Sequence, residues 1–547
     1  MAAILVLLAV PSALRADEDR ARSPVRFREV SSDWGLDFVH HNGASGRRYM
    51  VETMVGGVVV LDYDGDGDQD VFFVDGGELP GYEAEDVGSE LFRNEGGGRF
   101  VEVTARSRIR IDEYGVGGVS GDTDGDGDVE LFVATFDGRD RIFENRGDGT
   151  FADVTARVGI VREAWSSSAT FTDGDRDGDL DLYVTGYLDF TVEKHKDCEF
   201  RDAPGYCHPD VYPSLPDLYY RNRGDGVFRE ATAEAGLSGP RLAGLGVAAG
   251  DLDRDGWPDL YVANDFDPNL FFKSEGGGVW EDFSLLSGTA YSDRGRPEAG
   301  MGVDFGDVDG DGLEEILVTN FDLESNGLYR NLGDGFFADA RFSSGISDAS
   351  FTDLGFGIAF HDLDLDGDLD IFVVNGHVQD NARFLSEDSR FAQTNRVLLN
   401  DGSGKFTIVE AGLDVVRVSR GLAMGDLDGD GDGDAVVLNA ADRAEAWENV
   451  TPEDASWIQV DLRSEESNRL GVDARLELWL EDRLQVREVR TGSSYLSQSS
   501  LTRIFGLGDA SEADRLEVRW PSGKRQRFRD LRGSRRYRFH EERGTDA

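Results

Sequence analysis

The 547-residue sequence is short of several things, and each shortage narrows its function. It holds only two cysteines, which excludes a disulfide-dense small-domain scaffold and a cysteine-rich zinc array. No stretch approaches the roughly 20 apolar residues of a helical membrane span. Basic residues are also scarce: 56 Lys and Arg face 108 Asp and Glu, for a formal charge of −52. Such a chain repels nucleic acid and anionic membranes, because phosphate binding needs Lys and Arg to displace counterions. Cations are the expected partners. The imbalance is local: Lys and Arg nearly match Asp and Glu in residues 456–547, so the excess sits before them. Disorder is not implied, since a hydrophobic fraction of 39% can build a core.

Residues 1–16 read as a secretory signal: Ile4 to Val10 is a short apolar run, and Pro11, Ser12, Ala13 and Ala16 follow as a cleavage region. In an exported chain Cys198 and Cys207 most simply pair. The rival reading is a zinc site of His195, Cys198, Cys207 and His208, whose spacing lacks the usual CxxC or HxxxH element.

The acidic residues fall in register. One nonapeptide, Asp-x-Asp-x-Asp-Gly-x-x-Asp, occurs seven times, starting at Asp62, Asp122, Asp173, Asp251, Asp307, Asp362 and Asp426. Its third residues are Asp64, Asp124, Asp175, Asp253, Asp309, Asp364 and Asp428. Its fifth are Asp66, Asp126, Asp177, Asp255, Asp311, Asp366 and Asp430. Position seven, expected to give a backbone carbonyl, is Asp68, Asp128, Asp179, Trp257, Leu313, Asp368 and Asp432. Position nine is Asp70, Glu130, Asp181, Asp259, Glu315, Asp370 and Asp434. Alternating carboxylates on a tight loop converge on one point, and glycine at position six permits the turn, so each loop suits a hard cation. An all-oxygen cage of this size favours calcium over magnesium, giving up to seven ions. A lone copy could equally be an acidic turn; seven in register point to metal. An EF-hand is excluded, because its loop lies between helices and ends on a Glu at position 12. Loops 2 and 5, with Glu at position nine, and loop 4, stiffened by Trp257 and Pro258, are expected to be the weakest.

Before each motif lies a small-residue segment such as Gly244-Leu-Gly-Val-Ala248, and after it a β-branched or aromatic run such as Ile371-Phe-Val-Val374. Each loop therefore joins two strands. A second signature follows: Leu91-Phe-Arg-Asn94 with Phe100, then Asn145 with Phe151, Asn222 with Phe228, Asn331 with Phe337, and Asn400 with Phe406. In the fourth unit Ser274 replaces the Asn. Four short strands per unit of about 55 to 60 residues is the pattern of a propeller blade. The seventh unit stops at Trp447-Glu-Asn449, while Phe27-Arg-Glu-Val30 stands alone before the first, so an N-terminal strand is expected to complete the last blade and close the ring. The 78 residues between the third and fourth motifs mark an insertion, about 189–216, expected to project from the ring.

The fold class expected is thus all-β, a seven-bladed β-propeller over 25–450 followed by a small β-rich domain over 456–540 and a tail, 541–547. The repeats resemble FG-GAP or VCBS repeats, whose calcium-holding hairpin loops are familiar from integrin α-subunit propellers. The C-terminal part resembles the ASPIC/UnbV domain through Asn468-Arg-Leu-Gly-Val-Asp-Ala474, Gly492-Ser-Ser-Tyr-Leu-Ser-Gln498, Phe505-Gly-Leu-Gly508 and Trp520-Pro-Ser-Gly523. Together these place the chain near the cartilage acidic protein family and its bacterial relatives. The resemblance implies an exported binding, adhesion or scaffold module, periplasmic or extracellular, with a protein or glycan ligand. The alternative is a propeller enzyme or accessory protein acting on a carbohydrate or secondary metabolite. His40, His41, His361 and His377 are the residues such chemistry would draw on, and no nucleophile or acid–base motif accompanies them.

Overall fold

Every acidic nonapeptide connects two antiparallel strands, because the small residues before it and the β-branched residues after it are both buried. In the first unit Val58–Leu61 pairs with Asp70–Phe73, and Leu61 lies opposite Asp70. The loop spans the gap between them. The computed structural model describes residues 25–85, 87–200, 202–450 and 455–541; the signal-like segment and most of the tail lie outside these. Among the described residues, 27–449 contain seven four-stranded antiparallel sheets. Their first strands are Val58–Leu61, Gly115–Gly121, Ser166–Thr172, Gly244–Gly250, Val303–Gly306, Gly355–His361 and Ser419–Gly425. Each contacts the next, and the last contacts the first, so the chain is a seven-bladed β-propeller whose first strands line the axis. The fourth strand of the last blade is Phe27–Glu29, with Phe27 opposite Asn449 and Glu29 opposite Trp447. Blades pack through apolar layers such as Ala248, Tyr261 and Phe271 of blade 4 against Phe305, Ile316 and Tyr329 of blade 5.

The first strands are poor in side chains because they approach one another closely. A Cβ on Gly246 would stand 2.1 Å from the Met301 carbonyl oxygen, and one on Gly57 would stand 2.1 Å from that of Leu496. The second contact comes from the other domain.

Residues Ser456–His540 form two sheets, one of three strands and one of four, closed over Ile458, Val460, Leu476, Leu516 and Trp520. From this domain the segment Thr491–Ser500 enters the axis of the ring. Ser494 exchanges two backbone hydrogen bonds with Val303, and Gln498 accepts from Val60 and donates to Val58. The Gln498 amide donates to Ser120 Oγ and accepts from the Ser120 N–H. Leu496 N–H donates to Ser168 Oγ, the Ser494 hydroxyl accepts from Ile358 N–H, and Ser500 N–H donates to the Met424 carbonyl. Six of the seven blades are therefore tied to one finger, which carries the Gly492–Gln498 motif.

The insertion in blade 3 does not project from the ring, contrary to the sequence-based expectation. It carries the Cys198–Cys207 disulfide and follows the strand Asp181–Gly186, so it leaves its blade at the end away from the acidic loop Asp173–Asp181. There Tyr206 exchanges hydrogen bonds with the Gln379 side chain of blade 6, and its hydroxyl donates to Glu52. Phe190, Cys207 and Tyr212 join the apolar cluster around Trp165 and Tyr187. Burial of these aromatics holds the segment down over the ring. With the two sulfurs joined, the zinc alternative built on His195 and His208 is set aside.

Candidate metal centres

Within each loop the backbone bends toward its own carboxylates. The position-five carboxylate accepts from the position-seven N–H: Asp126 from Asp128, Asp255 from Trp257 and Asp311 from Leu313. The position-one carboxylate accepts from the N–H of the position-six glycine, as in Asp122 from Gly127, Asp251 from Gly256 and Asp307 from Gly312. These bonds hold the turn and aim the remaining oxygens inward. Carboxylate oxygens of Asp62, Asp64 and Asp66 lie within 4.8 Å of one another; so do those of Asp122, Asp124 and Glu130, of Asp173, Asp175 and Asp177, of Asp251, Asp253 and Asp255, and of Asp307, Asp309 and Asp311.

The position-nine carboxylate is buried and bridges two strands. Asp70 accepts from the N–H groups of Tyr63 and Asn94, Asp370 from Leu363 and Asn400, and Asp434 from Leu427 and Asn449. Glu130 and Glu315 make the same pair of bonds, to Thr123 and Asn145 and to Val308 and Asn331. The longer side chain is thus accommodated in the same role.

Burial and mutual repulsion make these carboxyls reluctant to ionise without a cation. Burial first, then neighbouring aspartates, push Asp122 and Asp307 up to about 7 and Asp173 to about 8. Burial likewise lifts Asp70, Glu130 and Glu315 to about 9. Buried oxygens of Asp62, Asp64, Asp175, Asp309 and Asp362 have no hydrogen-bond partner, and the Asp309 side chain is only 7% exposed. Orphaned buried oxygens in a convergent all-oxygen set fit a hard divalent cation, and its charge would reverse the upward shifts. The carboxylates at positions one, three, five and nine of each loop would hold calcium, which when bound would offset part of the loop's negative charge.

The signature Asn has a role that the repeat pattern alone does not disclose. Asn145 Nδ2 donates to the Val129 carbonyl of its own loop and, at 2.7 Å, to the Tyr63 carbonyl of the preceding loop. Asn94, Asn222, Asn331 and Asn400 do the same, and Asn449 reaches Leu363. Each clips its blade to the loop before it. Blade 4, with Ser274, instead places the Gly278 N–H on the Gly174 carbonyl. Asn145→Leu, which strands two buried carbonyls, is expected to lower stability in calcium by about 2–3 kcal/mol, whereas Ser274→Ala should cost under about 1 kcal/mol. Chemical unfolding midpoints check both.

The C-terminal domain lies against all seven loops. Arg536 donates to the Gly67 carbonyl, Arg469 to Gly125, and Arg475 to Gly312. Asp473 accepts from the Asp173 N–H, and Arg519 pairs with Asp251 at 2.6 Å. Gly506 N–H donates to Asp362, Arg483 pairs with Asp368, and Gln459 donates to Asp426. The basic residues of this domain thus partly answer the acidic face of the ring. Arg490 continues the network inside, pairing with Glu314 at 2.7 Å beside Glu488 and Asp304.

The four candidate histidines are buried or partly buried. His40 accepts from the Ala441 N–H and His377 from the Gln379 N–H; burial pushes both down to about 4. His361 packs beneath Gly433 of loop 7, and burial lowers it to about 4 as well. His41 pairs with Asp75.

Comparison with protein families agrees with this architecture. The FG-GAP-like repeat family matches residues 62–133, 122–184, 214–262, 251–318 and 307–373, and the ASPIC and UnbV family matches residues 464–546. The chain belongs to the FG-GAP-like repeat family and carries a C-terminal ASPIC and UnbV domain. Among curated relatives it is similar to cartilage acidic protein 1 of Mus musculus, 26% identical over 86% of this chain and 70% of that protein. The Xenopus tropicalis protein of that name is 24% identical over the same shares. Among solved structures it resembles an Agrocybe aegerita lectin recognising non-reducing terminal N-acetylglucosamine, at 16% identity over 66% of this chain and 81% of that one, with a TM-score of 0.39. The exotype rhamnogalacturonan lyase YesX is similar at 15% identity over 88% and 85%, with a TM-score of 0.33.

Proposed function

We propose that this chain is an exported, calcium-holding propeller that acts as a rigid scaffold and binding module for a protein or glycan, rather than as an enzyme. The observation that carries this reading is the finger: the ring axis, where a propeller enzyme would place its pocket, holds the chain's own Thr491–Ser500 segment. The cavities between the ring and the C-terminal domain measure about 60 Å³ each, well below the roughly 300–1,000 Å³ of small-molecule sites. Binding is then left to the rim, the outer faces of the blades and the insertion. Calcium is supported by the donor set and its orphaned oxygens. Export is supported by the disulfide, which belongs to an oxidising compartment.

The test is to apply the intact protein to glycan and extracellular-protein arrays in calcium and in chelator, and to assay the same sample for sugar turnover. Calcium-dependent retention with the ligand chemically unchanged is the expected result. Turnover of a sugar would overturn the reading.

A further inference from the structure

The residue just before the signature Asn differs among the blades: Arg93, Glu144, Arg221, Lys273, Arg330, Leu399 and Glu448. In blades 3, 4 and 5 it is a cation paired with the position-three carboxylate of its own loop, whereas Arg93 of blade 1 pairs with Glu95. Lys273 Nζ stands 2.7 Å from Asp253, Arg330 pairs with Asp309, and Arg221 Nε lies 3.5 Å from Asp175. In blade 2 the same register position, opposite Ala152 as Lys273 is opposite Glu281, holds an acid, so Glu144 brings a like charge toward Asp124. Glu448 does so to Asp428 in blade 7, where Arg536 lies near Asp426 and partly offsets it. Loop 4 is doubly occupied, since Arg519 takes Asp251 while Lys273 takes Asp253. Two of its inward carboxylates are already paired with the protein's own cations.

We infer that this residue sets the order in which the loops take up a divalent cation, with loop 2 filling first and loop 4 last. The inference rests on the loops being metal sites, as proposed above. A cation must be displaced, or its repulsion overcome, before an ion enters loop 4. In loop 2, an added carboxylate raises the local negative potential at no cost in displaced cations. Glu144 also pairs with Arg157, but that arginine is 62% exposed and its charge is screened by water. The order departs from the one drawn from position nine, because Glu130 makes the same backbone bonds as the aspartates.

The experiment is a calcium isotherm by equilibrium dialysis on the full chain, for wild type, Glu144→Lys, and Lys273→Met combined with Arg519→Gln. Glu144→Lys is expected to shift the tightest step about tenfold weaker. The double variant should shift the weakest step about tenfold tighter, and Lys273→Met keeps the apolar stem if the charge reversal in blade 2 prevents folding. Uptake by wild type with unshifted isotherms in the folded variants would overturn this ordering alone. A wild type that takes up no calcium would overturn the metal reading along with it.

Discussion

In excess chelator the protein is expected to melt about 10 °C below its value in millimolar calcium. A site with a dissociation constant of about 0.1 mM at about 1 mM free calcium contributes about 1.4 kcal/mol, or about 10 kcal/mol over all the loops. Unfolding entropy for a chain of this length is about 1 kcal/mol per kelvin, which converts that energy to the stated shift. The pH dependence should change form as well. Asp122, Asp307 and Asp173 titrate near 7 to 8 in the metal-free fold, above the usual carboxylate range, because burial and neighbouring acids disfavour their charge. A carboxyl raised in the fold binds its proton more tightly there than in the open chain. Chelated protein therefore loses stability as pH rises from about 4 through about 8. Calcium binding strengthens over that window, since the ligands must ionise, so the two melting curves should diverge with pH. Differential scanning calorimetry in calcium and in chelator measures both effects; superimposed curves would count against stabilising metal.

Tyr495→Ala should cost about 3–5 kcal/mol, the usual range for removing a fully buried aromatic side chain. Tyr495 is 0% exposed at the tip of the finger, its ring packs edge-on to Phe356 at 4.8 Å, and its hydroxyl donates to the Met54 carbonyl. Beside it the fully buried Arg420 guanidinium lies 3.9 Å over Phe356 and donates to the carbonyls of Thr53 and Gly376. The truncation leaves a cavity on the axis where several blades meet. Hydrogen exchange should rise at Thr491–Ser500 and at Val58 and Val60, whose N–H groups the finger caps. A variant as stable and as protected as wild type would show that the finger is not part of what holds the ring together.

Much of the propeller was legible because each blade is written locally. The strand–loop–strand unit needs only neighbouring residues, so the register of Asp62 to Asp70 implies the hairpin between Val58–Leu61 and Asp70–Phe73. The second role of the signature Asn was hidden. Asn145 has one acceptor in its own loop and another at Tyr63, 82 residues earlier. The finger was less legible still: Gly492–Gln498 has no strand or helix period, and its partners at Val58, Ser120 and Ser168 lie more than 300 residues upstream. Its composition does fit its place, since Ser494, Ser497 and Gln498 supply the polar groups that blade backbones on the axis need. The insertion misled for the same reason. Length between motifs shows that residues are added, but only distant partners such as Gln379 and Glu52 decide that they fold back over the ring.

The most direct measurement is the number of calcium ions held per chain by freshly purified protein, taken by elemental analysis after equilibration at millimolar free calcium. If the loops are what make a self-repelling ring cohere, six or seven ions should be found, with one lost for each loop whose first and third aspartates are changed to Asn. A folded protein carrying none, or the same count after those changes, would contradict the account.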